Sequence, residues 1–133
     1  MPNNMTTILQ ELFNPPNVSG WTGWHDWITT NTFPVRSTVV TTAIAAMSDQ
    51  NVLDFINQFT DPTDANKLIT EMGALMLPRK LADARHSDLV ERLVAQGKDY
   101  EWPTILSSSP AEAAHNMRDV LTTVCNLPDY QLC

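Results

Sequence analysis

The chain has 133 residues, of which 43% are hydrophobic and 17% are charged. A chain of this length and composition can bury one ordinary hydrophobic core, so the sequence predicts a folded domain and excludes an intrinsically disordered chain. Fifteen acidic and eight basic residues give a formal net charge of −7. This charge repels phosphate at long range, so we expect no direct binding to nucleic acid or to an anionic membrane.

The amino-terminal residues show neither the basic nor the apolar region of a signal peptide, and no stretch approaches the ~18–20 apolar residues of a membrane span. We therefore expect a cytoplasmic protein. Cys125 and Cys133 are the two cysteines. In a reducing compartment we expect both to be free thiols rather than a disulfide framework.

The amino-terminal third gives the weakest structural signals. Residues 1–5 read as a tail, and residues 6–13 as a short helix that ends before Pro15 and Pro16. Ser19 is a plausible N-cap for a second helix that runs through Trp27 towards residue 32. These interpretations rest on turn and capping residues rather than on a clear apolar stripe.

Residues 34–47 carry conflicting signals. Several β-branched residues lie between positions 35 and 42, and such residues favour a strand. However, Val35, Val39 and Ala43 recur at helical spacing, and Pro34 suits the first turn of a helix. No second convincing strand is present to form a pair, so a helix is predicted here.

Two regular helices are predicted next. Ser48 is the expected N-cap of the first, whose apolar residues Val52, Phe55, Ile56 and Phe59 fall at positions 0, 3, 4 and 7. The second covers residues 64–77, begins near Asp61 and Pro62, and stops at Pro78. Its apolar stripe consists of Ala65, Leu68, Ile69, Met72, Leu75 and Met76.

Residues 79–96 are predicted to form one helix that ends at Gly97 as the C′ residue, or a helix interrupted at His86 and Ser87. Asp88 and Arg92 form a favourable i,i+4 pair. The inward-facing residues are expected to be Ala82, His86, Leu89, Val90 and Leu93. Residues 100–110 are interpreted as a loop.

The last predicted helix has a capping-box sequence, with Ser109 as N-cap, Pro110 at N1 and Glu112 at N3. Ala114, Met117, Leu121 and Val124 form its apolar stripe, and residues 128–133 are interpreted as a tail. The sequence thus predicts an all-α, single-domain bundle of about five or six short helices spanning residues 6–127.

The tryptophans are the most distinctive feature of the sequence. Trp21, Trp24 and Trp27 lie within seven residues, together with His25, in a half of the chain that carries few charges. Burial in the core is the commoner fate of aromatic residues, but tryptophan is also enriched at binding hot spots. We expect Trp24 and Ile28 to face inward and Trp21 to lie nearer the surface.

The candidate catalytic residues are poorly supported. His25 and Asp26 are adjacent and cannot face each other on a helix, and no nucleophile motif accompanies them. Glu112 and His115 form half of the di-iron helical signature, but no second copy is present, and His115 should face solvent. His86 falls on an apolar face, which is typical of a core histidine. We therefore predict no catalytic residue, no metal site and no cofactor.

The function that remains is a non-catalytic protein-interaction module: an accessory or structural subunit of a larger assembly, such as a viral or phage protein. We expect a protein partner or self-assembly, with Trp21, Trp24, His25 and Trp27 as the contact residues. One alternative is a small helical enzyme that uses His25 or Glu112 and His115. Another is an acidic inhibitor that mimics nucleic acid.

Both cysteines are predicted to be free in the native protein. Thiol titration of the unfolded, non-reduced chain should find two thiols per molecule, because nothing in the sequence indicates an exported protein. A titration that finds none, with an unchanged monomer mass, would show a disulfide between Cys125 and Cys133.

Overall fold

The computed structural model describes residues 11, 13–15, 17–21, 23 and 28–131. Within these residues there are seven helices, six of them with seven residues or more, and no strand. Helices account for 66% of the described residues, which confirms the predicted all-α class. The chain forms two compact units, Met1–Ala43 and Ile44–Cys133. The predicted domain of residues 6–127 with a tail at each end stays a prediction.

The first unit contains most of helix α1 (Thr32–Ala45). Thr29 organises its start, because Thr29 Oγ1 accepts hydrogen bonds from the backbone N–H groups of Asn31 and Thr32, at 3.2 and 3.0 Å. Within the helix, the Thr38 hydroxyl donates to the carbonyl of Pro34 at 3.0 Å. The helix predicted over the β-branched run is therefore confirmed, although it begins two residues before Pro34.

A turn replaces the start of the helix predicted from Ser19. Asn17 and Gly20 form an isolated bridge, and Gly20 has a φ of 90°. The side chain of Asn17 accepts a hydrogen bond from the backbone N–H of Ser19 at 2.8 Å, an arrangement typical of turns. Residues 19–21, 23 and 28–29 are not helical, so the prediction is wrong at these positions. Residues 6–10 and 24–27 lie outside the described part of the chain.

The second unit is built around one long helix, α6 (Pro110–Cys125). The bounds of the other helices are α2 Asp49–Ile56, α3 Ala65–Met76, α4 Asp83–Leu93, the 3₁₀ turn Asp99–Glu101, α5 Trp102–Ser108 and α7 Pro128–Gln131. Helix α6 packs against α2, α4, α5 and α7, while α3 packs against α4 and the 3₁₀ turn.

The apolar face of α6 is broader than the predicted stripe. It buries Ala113, Ala114, Asn116, Met117, Val120, Leu121, Val124 and Cys125. Pro110 occupies the first turn as expected, but the Ser109 side chain makes no capping hydrogen bond. The predicted capping box is therefore wrong, and Ser109 contributes its backbone carbonyl to Ala113 instead. Burial, rather than capping, stabilises this helix.

The caps of α2 and α3 follow the sequence closely. Ser48 accepts a hydrogen bond from the N–H of Asn51, as predicted. Asp64, rather than Asp61 and Pro62, caps α3 by accepting from the N–H groups of Asn66 and Lys67. Asp61 instead binds the ammonium of Lys67 at 2.9 Å. This hydrogen bond from Lys67, with another from Thr63, lowers the pKa of Asp61.

Helix α4 is shorter than the predicted span of residues 79–96, and its end differs from the prediction. The N–H of Gln96 donates to the carbonyl of Glu91 at 2.8 Å, and the N–H of Ala95 donates to that of Arg92 at 3.2 Å. This pair of bonds is a Schellman motif with Ala95, not Gly97, at C′. A Cβ on Gly97 would meet the carboxylate of Glu101, which is the far end of an exposed, flexible side chain.

The predicted loop of residues 100–110 is wrong, since it contains the 3₁₀ turn and α5. The fourth tryptophan, Trp102, begins α5 and is completely buried. Its Nε1 donates to the carbonyl of Pro62 at 2.8 Å, across 40 residues of sequence. Trp102 is also the largest of the fully buried side chains. Its hydrogen bond to Pro62 holds the loop before α3 against the start of α5.

Polar side chains tie α6 to neighbouring segments at its middle and at its C-terminal end. Arg118 donates from Nε and Nη2 to the carbonyl of Met47, at 3.2 and 2.7 Å, and also binds Asp49. Gln131 is buried and donates to the carbonyl of Cys125 at 2.7 Å. Residues 128–131, which the sequence analysis assigned to a tail, therefore form a helical turn held against α6.

Replacing Trp102 with alanine should lower the free energy of unfolding by about 3–5 kcal/mol, because it leaves a cavity and an unpaired carbonyl at Pro62. Tyr100→Ala is the matched control, since Tyr100 is 74% exposed and its loss should cost about 0.5 kcal/mol or less. Urea denaturation gives the stability change of each variant from its midpoint, provided that the dependence of the unfolding free energy on urea concentration is the same as in wild type. Equal losses in the two variants would contradict the assignment of Trp102 to the core.

Candidate functional site

The predicted interaction residues fall in the least completely described part of the chain. Trp24, His25 and Trp27 lie outside the described residues, so their predicted roles stay predictions. Trp21 is 48% exposed, and its Nε1 donates to the carbonyl of Glu11 at 3.2 Å. Ile28, which was expected to face inward, is 37% exposed, so that expectation is wrong.

Two further large apolar side chains accompany Trp21 at the surface. Phe13 is 87% exposed and Val18 is fully exposed. The bond from Trp21 to Glu11 holds the indole beside the turn that contains Phe13, while Val18 lies in the turn just before Trp21. We name Phe13, Val18 and Trp21 the Trp21 surface. The three residues are close in sequence and each is exposed; contiguous apolar patches on a surface are typical of interaction sites.

The candidates Glu112 and His115 both lie at the surface, as predicted for His115. His115 borders a cleft of about 420 Å³ between α4 and α6, which we name the polar cleft. The residues that line it are Asp88, Glu91, Arg92, Ala95, Gln96, His115, Asn116 and Asp119. An imidazole among carboxylates is suited to proton transfer, but these lining residues include no serine, threonine or cysteine nucleophile.

Arg92 pairs with the carboxylates on both walls of the polar cleft. Its Nη1 lies 3.2 Å from Asp119 Oδ2, and its Nε lies 3.4 Å from Asp88 Oδ2. Both hydrogen bonds raise the pKa of Arg92, and the bond to Asp119 has the larger effect. The arrangement joins α4 to α6 and confirms the predicted pair of Asp88 with Arg92. No local pattern predicts the partner Asp119, which lies 27 residues further along the chain.

Two other reactive side chains have structural roles. His86 is half-buried, and its Nε2 lies 3.1 Å from both Asn66 O and Thr70 Oγ1. Cys125 is a buried free cysteine, and its burial raises the pKa of the thiol. A thiol with a raised pKa is a poor nucleophile at neutral pH, so the chemistry at Cys125 is that of a small core residue.

Residues 1–132 match the family described as Protein of unknown function (DUF1800). The chain belongs to this family. No curated protein and no solved structure matches the chain. Membership of the DUF1800 family assigns no activity, so a function for this member has to be argued from its own residues.

In the part of this DUF1800 chain that the structure describes, histidine, cysteine, aspartate and glutamate residues form no group of three or more suited to hold a metal ion. Among the helices of the same residues, none is long and apolar enough to cross a membrane. Features of the described residues that are suited to recognition include the Trp21 surface, the polar cleft and a cleft beside the segment that connects α3 to α4.

The left-handed residues at the rim of the polar cleft provide a direct stability test. Ala95 has a φ of 50°. A non-glycine residue in this left-handed conformation destabilises the folded state by about 1–2 kcal/mol. Glycine adopts it without strain but loses about 0.5–1 kcal/mol more backbone entropy on folding. We expect Ala95→Gly to raise the free energy of unfolding by up to about 1 kcal/mol. The same change in α3, Ala74→Gly, should lower it by about 0.5–1 kcal/mol.

Urea denaturation of both glycine variants measures the difference. Opposite signs at Ala95 and Ala74 are the expected result. A loss of stability at Ala95 equal to that at Ala74 would show that the α4 terminus is not strained in solution.

Proposed function

We propose that this protein is a non-catalytic protein-interaction module that contacts its partner through the Trp21 surface. The observation that carries the proposal is the half-exposed indole of Trp21, held in place by its hydrogen bond to Glu11. A tryptophan that is already positioned loses little conformational freedom on binding. Tryptophan is also enriched among the residues that supply most of the binding energy.

The scarcity of charged residues around Trp21 in the sequence also supports the Trp21 surface as the interface. Between residues 12 and 35, Asp26 is the single acidic residue, and there is no lysine or arginine. The cores of protein interfaces are depleted of charged residues and enriched in aromatic ones. The partner we infer is a protein that presents an apolar pocket or patch to Phe13, Val18 and Trp21.

The proposal describes an accessory or structural subunit of a larger assembly that acts in the cytoplasm. A viral or phage assembly protein is one form of such a subunit. The enzyme alternative, which uses His25 or Glu112 and His115, is less well supported, since the residues that line the polar cleft beside His115 include no serine, threonine or cysteine nucleophile. The nucleic-acid mimic is also less well supported, because Arg92 lies between two of the carboxylates in that cleft.

The test is a Trp21→Ala variant, compared with Tyr100→Ala as an exposed aromatic control in the second unit. Truncating a hot-spot tryptophan should weaken partner binding by about 2 kcal/mol or more, roughly 30-fold, while the chain stays folded. Tyr100→Ala should leave binding within about twofold of wild type, because a residue outside the interface contributes little.

Sedimentation equilibrium of the purified chain tests self-association. Chemical cross-linking in the native cell, followed by calorimetry with the purified cross-linked partner, tests a different protein. Urea midpoints for Trp21→Ala separate loss of binding from loss of folding. Equal binding by wild type and Trp21→Ala, or a fall of about 3–5 kcal/mol in the folding stability of Trp21→Ala, would reject the Trp21 surface as the interface.

A further inference from the structure

A cleft of about 540 Å³ lies beside the segment that connects α3 to α4. Its walls are Thr70, Ala74, Leu77, Asp83, His86 and residues 78–81. We name it the α3–α4 cleft. The volume lies within the ~300–1,000 Å³ that is usual for small-molecule sites, and it exceeds the volume of the polar cleft, about 420 Å³.

The apolar wall of the α3–α4 cleft is formed before any ligand arrives. Leu81 packs directly on the backbone of α3, because a Cβ built on Gly73 would lie only 2.7 Å from Leu81 Cδ1. Ala74 and Leu77 extend this surface along α3 and its C-cap. The wall is therefore aliphatic and fixed by packing, as is usual for the apolar part of a ligand site.

His86 is fixed in one orientation at the same cleft. The hydroxyl of Thr70 donates to the carbonyl of Asn66 at 2.8 Å. Because that carbonyl can only accept, His86 Nε2, which is 3.1 Å away, carries the hydrogen and donates to it. Both contacts of Nε2 hold the imidazole against α3.

The mouth of the cleft is positively charged. Arg79 and Lys80 are both exposed, and neither forms an ion pair with any residue that the structure describes. Asp83 is the one carboxylate among the lining residues. Two cations and one anion leave a local excess of positive charge in a chain whose net charge is −7.

We propose that the α3–α4 cleft binds a small amphipathic carboxylate, with the carboxylate at Arg79 and Lys80 and the hydrocarbon body against Ala74, Leu77 and Leu81. Guanidinium and ammonium groups form strong, charge-assisted hydrogen bonds to carboxylate oxygens. The aliphatic wall removes the hydrocarbon body of the ligand from water. The residues of this site belong to the second unit, and the proposal does not depend on the proposed interaction function.

Octanoate is the probe, with 1-octanol as the uncharged control of the same chain length. Titration of the ¹⁵N-labelled full chain, followed by amide chemical shifts, should give saturable shifts confined to residues 70–86. Octanol should bind at least about tenfold more weakly, because it lacks the charge that Arg79 and Lys80 recognise.

The double variant Arg79→Gln/Lys80→Gln should lose about tenfold or more in octanoate affinity. The control Arg85→Gln/Lys98→Gln removes two cations from the same stretch of sequence but outside the cleft, and should stay within about twofold of wild type. All four side chains are exposed, so both variants should keep the wild-type thermal midpoint. Absence of octanoate shifts at millimolar concentration, equal affinity for octanol, or equal losses in the two double variants would overturn the proposal.

Discussion

The burial of α6 is the constraint on which the second unit depends. Eight of its 16 residues are buried, and the helix contacts α2, α4, α5 and α7. An isolated helix of this length is marginal in water, and most helical stability in proteins comes from packing an apolar face. The neighbouring helices are short, so each of them depends on α6 for the surface against which it buries its own apolar residues. Arg118 adds a polar tie from the middle of α6 to Met47, and Gln131 adds one to Cys125 at its C-terminal end.

The same packing explains where the polar cleft and the α3–α4 cleft lie. Asn116 faces the core from α6 and donates to the carbonyl of Leu93 at 3.1 Å, which satisfies a carbonyl at the end of α4. The chain then turns through the left-handed residues Ala95 and Gln96, and the polar cleft opens between the two helices. At the other end of α4, Leu81 packs on Gly73 and leaves the α3–α4 cleft with Arg79 and Lys80 at its mouth. Both clefts are consequences of how α4 is held.

Much of the helical architecture could be predicted from local sequence, because apolar spacing and N-cap residues are local signals. The Ser48 cap and the buried residues Ala65, Leu68, Ile69 and Met72 are examples, whereas Leu75, predicted in the same stripe, is 69% exposed. The helix predicted for α1, in place of a strand, is also correct, because no partner strand was available. Features that depend on distant residues could not be predicted. Trp102 looked like part of a loop because its partner, the carbonyl of Pro62, is 40 residues away. Ala95 occupies the C′ position, where glycine is expected, and Gly97 follows two residues later. Among the candidate sites, the surface position of Trp21 could be predicted from the sequence. The two clefts could not, because no sequence motif marks either of them.

Hydrogen exchange of the isolated chain, measured residue by residue, tests the central role of α6 most directly. If the second unit depends on this helix, the amides of Val120, Leu121 and Val124 should be the most protected and should exchange only through global unfolding. Amides in α3 should exchange at the same rate or faster. Exchange of the α6 amides through local opening, while α3 stays protected, would contradict the account.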